Sequence, residues 1–162
     1  MTSIAVVSVI LDQVTKSVVR ATLAACPDGA AACDRVLLIG PFDLLRTSNP
    51  GSALGLAGPA SVLPLIIAAA LLLVAEWRLA PRTMAVVVGL GLQAGGLVGG
   101  AVDRLIFHEV TDFLHLSLDG SPRGVVANVA DLALIVGGCL VAVEMVRQGS
   151  ARSNTPLPGP SL

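Results

Sequence analysis

Charged and aromatic residues are scarce in this chain of 162 residues: 13% are Asp, Glu, Lys or Arg, and 2% are aromatic. A soluble domain of ordinary composition carries about 25% charged residues. The hydrophobic share is 54% and the mean hydropathy is +0.85, which leaves too little polar surface to cover a water-facing globule. The composition therefore predicts an integral membrane protein, and the length predicts one compact domain.

Residues suited to metal or nucleic-acid binding are also scarce. The two histidines, His108 and His115, stand too far apart to share a helix face, and no cysteine or histidine follows a metal-ligand spacing. The net charge is −1 and its signs are scattered, so no basic face for nucleic acid is expected. We expect neither a metal site nor a nucleic-acid partner.

The three cysteines leave one question open. Cys139 lies in an apolar run and is expected to be a packed thiol. Cys26 and Cys33 share one polar loop, and a disulfide between them depends on that loop facing an oxidising compartment. The sequence leaves both states open.

Long apolar runs predict four membrane-spanning helices. They cover residues 2–25, 60–75, 83–102 and 124–146. The third run has 20 residues without a charge, the length that crosses a hydrocarbon core about 30 Å thick. The first run could instead be a cleaved signal peptide, because Leu23-Ala24-Ala25-Cys26 resembles a lipobox. The lack of a basic leading region and the early charge of Asp12 favour a permanent helix.

The connecting segments differ from one another. Residues 35–39 and 42–47 are short apolar runs around Gly40-Pro41, which predicts a small β-element on the membrane surface. The link over residues 105–123 is expected to hold one amphipathic turn. Residues 1–148 are expected to form the membrane domain, and residues 149–162, rich in Gly, Ser and Pro, a disordered tail.

Arginine placement predicts the orientation. An even number of spans puts both termini on one side of the membrane. Arg78 and Arg82 flank the shortest link, and cytoplasmic loops carry an excess of Lys and Arg. We therefore expect this link and both termini to be cytoplasmic.

Charged side chains within the predicted spans need a physical reason, because each costs about 2.5–3.5 kcal/mol on insertion scales. Asp12 and Lys16 stand four residues apart on one helical face, with the acid first, which is the favourable order for an ion pair. Asp103 and Arg104 close the third run and are interpreted as a charge pair at the membrane interface. Asp12 and Lys16 could form this pair for structural reasons alone or could line a polar functional site, and the sequence leaves both interpretations open.

Glycines recur along the third span. Gly91, Gly95 and Gly99 repeat every four residues, with Gly96 and Gly100 beside them. Small residues at this spacing let a neighbouring helix approach closely. We expect them to form a packing surface.

Two aspartates near the fourth run could form a catalytic pair. Asn128 and Asp131 stand three apart near the start of the helix, so both face one way, and Asp112 lies in the loop before it. If the loop folds back, Asp112 and Asp131 meet at the outer membrane surface. Two carboxyl groups at such a short distance share one proton. The ionised group can then activate water, while the protonated group polarises a carbonyl. A solvated loop aspartate is the competing interpretation.

Five short motifs follow one another along the chain. They are Asp12-Gln13-Val14-Thr15-Lys16; Asn49-Pro50-Gly51-Ser52-Ala53, preceded by Phe42-Asp43-Leu44; Gly99-Gly100-Ala101-Val102-Asp103-Arg104; Val110-Thr111-Asp112-Phe113; and Asn128-Val129-Ala130-Asp131. Each resembles a motif of signal peptidase II, the lipoprotein signal peptidase family, and their order and spacing agree over roughly residues 3–147. A single motif of this kind is unspecific, whereas five in order across a four-span chain are specific.

The resemblance implies an all-α membrane protein, a bundle of four transmembrane helices with a small extracytoplasmic β-element. It implies a bacterial inner-membrane aspartyl endopeptidase, without metal or cofactor, that removes the signal peptide of diacylglyceryl-modified prolipoproteins before the lipidated cysteine. Asp112 and Asp131 would be its catalytic dyad. The residues that would line or brace the site are Asp12, Lys16, Asn49, Asp103, Arg104 and Asn128, with Asp103 holding Arg104. The expected partners are prolipoproteins and the bilayer, with the chain acting as a monomer.

The chain departs from the resemblance at three positions. Gly100 stands where the family usually has an asparagine, and Leu54 and Ala127 stand where phenylalanines are common. One alternative is therefore a catalytically inactive protein of the same fold that binds lipopeptides. Another is a small transport or proton-relay protein that uses Asp12, Asp103 and Asp131, although the chain lacks the internal repeats of such transporters.

Overall fold

The computed structural model describes residues 1–26, 35–49, 62–80, 82–117 and 124–153, and these form four helices and a small antiparallel sheet. The helices are α1 (Thr2–Thr22), α2 (Val62–Leu79), α3 (Met84–Phe107) and α4 (Val129–Ser153). The strands are β1 (Val36–Leu37), β2 (Phe42–Asn49), β3 (Val110–Leu116) and β4 (Val125–Ala127). Within the described residues, α1, α3 and α4 are long and apolar enough to cross a membrane. The prediction of a mostly helical membrane protein is confirmed for three of its four spans.

Helix α3 packs between α1 and α4, and its glycines allow both approaches. A Cβ atom on Gly95 would lie 2.5 Å from the Cβ atom of Ser8 in α1. A Cβ atom on the next residue, Gly96, would lie 2.5 Å from the carbonyl oxygen of Ala130 in α4. Since real side chains do not tolerate such distances, larger residues would push the helices apart. The predicted packing surface is confirmed on two faces of α3.

The sheet has the order β1-β2-β3-β4, and all its neighbours are antiparallel. Residues 35–39 and 42–47 contain β1 and most of β2, so the predicted β-element is confirmed. Residues 105–116 do not hold the amphipathic turn expected in this link, because α3 continues to Phe107 and β3 occupies Val110–Leu116. Residues 118–123 of the link lie outside the described residues. The β-branched and aromatic residues of β3 suit a strand, and a strand partner distant in sequence, β2, completes it.

Other helix boundaries also differ from the prediction: α2 continues to Leu79, beyond the predicted end at residue 75, and α1 and α4 differ as well. Helix α1 ends at Thr22, since the backbone of Leu23 is extended, and Arg46 in β2 donates hydrogen bonds of 3.3 Å to the carbonyls of Arg20 and Leu23. Helix α4 begins at Val129, because residues 125–127 pair with β3 as β4. Its other end reaches Ser153, so the first residues of the predicted tail are helical. A hydrogen bond of 3.0 Å from Gln148 to Glu144 supports that last part of the helix.

The cysteines are only partly covered by the described residues. Cys26 is disulfide-bonded, and Cys139 is a free, exposed cysteine rather than the packed thiol expected from its apolar run. It lies on the outward face of α4, where lipid can act as its solvent. Cys33, Leu54 and residues 50–53 of the second motif lie outside the described residues.

Candidate active site

Asp112 is a buried carboxylate held by two amide side chains. It lies in the middle of β3 and is 2% exposed. The Nδ2 atom of Asn49, the last residue of β2, donates to Asp112 Oδ2 at 3.0 Å. The Nδ2 atom of Asn128 donates to Asp112 Oδ1 at 2.6 Å. Antiparallel pairing of β2 with β3 brings Asn49 to Asp112, so the sheet fixes one side of this carboxylate.

Asp131 is fixed by a capping box at the start of α4. The side-chain oxygen of Asn128 accepts a hydrogen bond of 3.0 Å from the backbone N–H of Asp131. In return, Oδ2 of Asp131 accepts one of 3.2 Å from the backbone N–H of Asn128. This reciprocal arrangement satisfies two helix-end donors and fixes the side chain of the third helical residue. The motif Asn128-Val129-Ala130-Asp131 is therefore a helix-start signal as well as a site motif.

Asn128 connects the two carboxylates. Its side-chain nitrogen binds Asp112, while its side-chain oxygen and backbone N–H bind Asp131. The structure thus brings Asp112 and Asp131 to one shared partner, as expected if the segment before α4 folds back. That segment is a strand at Asp112 rather than the expected loop.

The environment raises the pKa of Asp112 to about 6, from its ordinary value of 3.8. Burial is the main cause, and the negative charge of Asp131 adds to it. The hydrogen bonds from Asn49 and Asn128 and the positive charge of Lys16 oppose the rise, because they favour the ionised form. Asp112 can therefore exchange a proton near neutral pH, which a base or acid in catalysis requires.

A cluster of buried charged side chains lies near Asp112 and Asp131. Lys16 Nζ is 2.7 Å from Asp12 Oδ2 and 3.0 Å from Asp103 Oδ2, and all three residues are 0% exposed. The predicted pair of Asp12 and Lys16 is confirmed. Because Asp12 and Lys16 belong to α1 and Asp103 belongs to α3, the cluster also joins those two helices.

The expectation that Asp103 pairs with Arg104 is wrong. Asp103 faces α1 and β3: it accepts hydrogen bonds from the Gln13 side chain at 3.0 Å and the Thr111 backbone N–H at 3.3 Å, and Arg20 lies 3.7 Å away. Arg104 donates to the carbonyl of Gly100 at 3.1 Å. Adjacent residues on a helix do not face each other, so the two side chains leave α3 in different directions.

Three polar residues of the site were missed in the sequence. Gln13 binds both Asp12 and Asp103, at 3.1 and 3.0 Å. Arg20 donates to the Thr111 hydroxyl at 2.9 Å. Gln13 and Thr111 each adjoin a predicted site residue, which was the available signal, whereas Arg20 follows Lys16 at the same helical spacing.

In the part of the chain that the structure describes, no three His, Cys, Asp or Glu side chains are placed to hold a metal ion.

Comparisons with known proteins show the family to which the chain belongs. The family model of signal peptidase (SPase) II matches residues 4–147. The lipoprotein signal peptidase of Maridesulfovibrio salexigens is 30% identical over 152 residues, which cover 89% of this chain and 93% of that protein. The lipoprotein signal peptidase of Rhodopseudomonas palustris strain CGA009 is 33% identical over 140 residues, 82% of each chain.

The fold is shared with a solved protein. A bacterial membrane enzyme determined by the in meso method at 2.3 Å resolution superposes with a TM-score of 0.74 over 96% of this chain and 92% of that one, at 23% identity. At that identity the likeness concerns the fold alone, while the family match and the relatives cover nearly the whole chain. The chain belongs to the signal peptidase II family.

Proposed function

We propose that this protein removes the signal peptide from diacylglyceryl-modified prolipoproteins by cutting before the lipidated cysteine, and that Asp112 and Asp131 do the chemistry. Family membership supports the substrate class. The observation that carries the aspartyl mechanism is the single residue Asn128, which binds both carboxylates. Two carboxyl groups in one partly buried site can hold one proton between them, which is the state that peptide hydrolysis by a dyad requires.

The hydrogen bonds favour different functions for the two aspartates. Asp112 accepts from two side-chain amides, which stabilises its ionised form, so we assign it as the base. Asp131 accepts from the Asn128 N–H at Oδ2, and its Oδ1 can then carry the shared proton toward the substrate. Asp131 is the partly exposed member of the pair, which suits a group that reaches a substrate carbonyl.

Hydrolysis then follows without further groups. Asp112 takes a proton from water while the water oxygen attacks the carbonyl carbon of the residue before the cysteine, and the Asp131 proton passes to the carbonyl oxygen. The resulting geminal diol returns a proton to Asp131 as the carbon–nitrogen bond breaks. The proton held by Asp112 passes to the departing cysteine nitrogen. Both carboxyl groups are thereby restored for the next turnover.

The other site residues support the pair. Asn49 and Asn128 hold Asp112, and the cluster of Asp12, Lys16 and Asp103 braces α1, α3 and α4 around it. We also propose that Arg104 lines the site, where it is anchored at the Gly100 carbonyl.

Cleavage of a lipidated peptide tests the function. The purified protein in detergent is mixed with a synthetic prolipoprotein peptide that carries diacylglyceryl on its cysteine, and the products are identified by mass spectrometry. We expect a new N-terminus at the lipidated cysteine and no cleavage of the same peptide without lipid. An intact lipidated peptide, with bound peptide detected by sedimentation, would favour an inactive lipopeptide-binding protein instead.

We further propose that all four helices span the bacterial inner membrane, with both termini cytoplasmic and the sheet outside. Helix α2 returns the chain from the sheet to a short link before α3, as an even number of crossings requires. In a variant with Cys139→Ala, Ile39→Cys should react with a membrane-impermeant thiol reagent from outside, since Ile39 is 81% exposed. Arg82→Cys should react only after the membrane is opened. The opposite pattern would invert the orientation.

A further inference from the structure

Asp12 makes a contact that its ion pair with Lys16 does not explain. Its Oδ2 atom binds Lys16, and its Oδ1 atom accepts a hydrogen bond of 2.9 Å from the backbone N–H of Ala130 in α4. The side chain is 0% exposed and fills the space left by Gly99, where a Cβ atom would lie 2.7 Å from Oδ2. One carboxylate of α1 is therefore held against α3 and bound to the first turn of α4.

The bound amide lies directly before Asp131. The first N–H groups of a helix lack intrahelical partners and are fixed by whatever acceptor meets them. The N–H of Asp131 goes to Asn128, which belongs to the same turn. The N–H of Ala130 instead goes to another helix. Among the described hydrogen bonds of this turn, the one from Ala130 to Asp12 sets where the turn stands relative to α1.

Lys16 makes a buried carboxylate tolerable at this position. A charge removed from water needs a paired partner, and Lys16 binds both Asp12 and Asp103, while Arg20 lies 3.7 Å from Asp103. With Arg20 counted beside the cluster, two acidic and two basic side chains balance. The charge of Asp12 is neutralised on one oxygen, and the other oxygen remains available to Ala130.

Building on the proposed function, we propose that Asp12 is a positioning residue for the reaction: through the Ala130 amide it sets the direction in which Asp131 points. A shift of about 1 Å in a catalytic group can cost about 100-fold in rate. Because Asp12 acts on the placement of Asp131 and not on the substrate, its loss should lower kcat and leave KM nearly unchanged.

A charge-matched pair of double variants separates the hydrogen bond from the ion pair. Asp12→Asn with Lys16→Met keeps an oxygen for the Ala130 N–H, whereas Asp12→Ala with Lys16→Met removes it, and both lose the same two charges. We expect kcat of the second variant to be at least roughly tenfold below that of the first, the value of one hydrogen bond to a buried group. Equal kcat values, or a difference carried by KM, would overturn the proposal.

Amide deuterium exchange measures the same contact without substrate. The Ala130 amide should exchange faster in the Asp12→Ala, Lys16→Met protein than in the Asp12→Asn, Lys16→Met protein, while the amides at the far end of α4 exchange alike. This result stands even if the wild-type protein cleaves no lipidated peptide, so failure of the proposed function and failure of the positioning proposal are distinguishable. Equal exchange at Ala130 in the two proteins contradicts the positioning contact.

A second route is needed if either double variant does not fold. Gly99→Ala leaves all charges in place, yet its Cβ atom displaces the Asp12 carboxylate. Gly138→Ala is the control, because a Cβ atom on Gly138 meets nothing within 4 Å among the described residues. Gly99→Ala should lower kcat and speed exchange at Ala130, and Gly138→Ala should do neither. A Gly99→Ala protein with unchanged kcat and unchanged exchange would refute the proposal.

Discussion

Replacing Asp112 by asparagine should abolish cleavage and, at the same time, favour the folded protein more at alkaline pH than at acidic pH. The pKa of Asp112 is raised from 3.8 to about 6, so the folded protein binds this proton more tightly than the unfolded chain does. The carboxyl group therefore lowers the free energy of unfolding when it is ionised, above about pH 6, and this cost vanishes as the pH falls toward 4. Asparagine has nearly the shape of the protonated acid and never ionises.

The magnitude follows from the size of the shift. About two pKa units correspond to about 3 kcal/mol, and Asp112 is buried enough, at 2% exposed, for the value not to be reduced much by solvent. For a chain of this length, about 2–3 kcal/mol raises the melting temperature by roughly 5–10 °C. Asparagine can accept only one of the two amide hydrogen bonds to Asp112, which is a cost that does not depend on pH. We therefore expect the melting temperature of Asp112→Asn, relative to the wild type, to be higher at pH 8 than at pH 4 by this amount.

Thermal unfolding in detergent at several pH values, together with the peptide cleavage assay, measures both effects. Glu109→Gln is the matched control, because it removes one acid next to the same strand but outside the dyad. Glu109 accepts a hydrogen bond of 2.7 Å from Ser48. The melting temperature of this variant should not rise with pH in this way. An Asp112→Asn protein that is destabilised equally at pH 4 and pH 8, or that still cleaves, would refute the reasoning.

Three further substitutions test neighbouring parts of the site. Asn49→Ala removes a donor that favours ionised Asp112, so the acid limb of kcat/KM should move up from about pH 6 by about one unit; an unmoved limb would contradict the assignment of the base. Asp131→Asn keeps an oxygen for the Asn128 N–H and should melt like the wild type, yet cleave nothing; measurable turnover would exclude the dyad. In Gly100→Asn the new Cβ atom would have one neighbour among the described residues, the movable Nη1 atom of Arg104 at 3.3 Å. This variant should therefore keep its melting temperature and keep or modestly raise cleavage, whereas a fall in both would make Gly100 a packing contact.

Local periodicity explains what the sequence predicted well. Asp12 and Lys16 pair because residues four apart on a helix are always neighbours, whatever surrounds them. Gly91, Gly95 and Gly99 face α1 for the same reason. The positions of the helices and of the first two strands likewise follow from hydrophobic patterns within short windows.

Contacts between distant segments explain what the sequence missed. Strand β3 forms because β2 offers it a partner, and no pattern within residues 105–123 announces that pairing. The predicted partner of Asp103 was Arg104, its neighbour in sequence, and this prediction was wrong because Lys16 is the neighbour in space. Such contacts depend on the close approach of α1 to α3, which the sequence indicates but does not measure.

The first turn of α4 also bears on how the substrate carbonyl is polarised. Helix N-termini often supply free N–H groups to a developing oxyanion. Here the amides of Asn128, Ala130 and Asp131 already donate to carboxylate or amide oxygens, two of them on Asp12 and Asp131 themselves. An N–H already bound to a buried acceptor cannot bind the carbonyl oxygen without losing that bond. In the proposed mechanism the proton of Asp131 polarises the carbonyl, and these three backbone donors serve instead to hold the turn that carries Asp131.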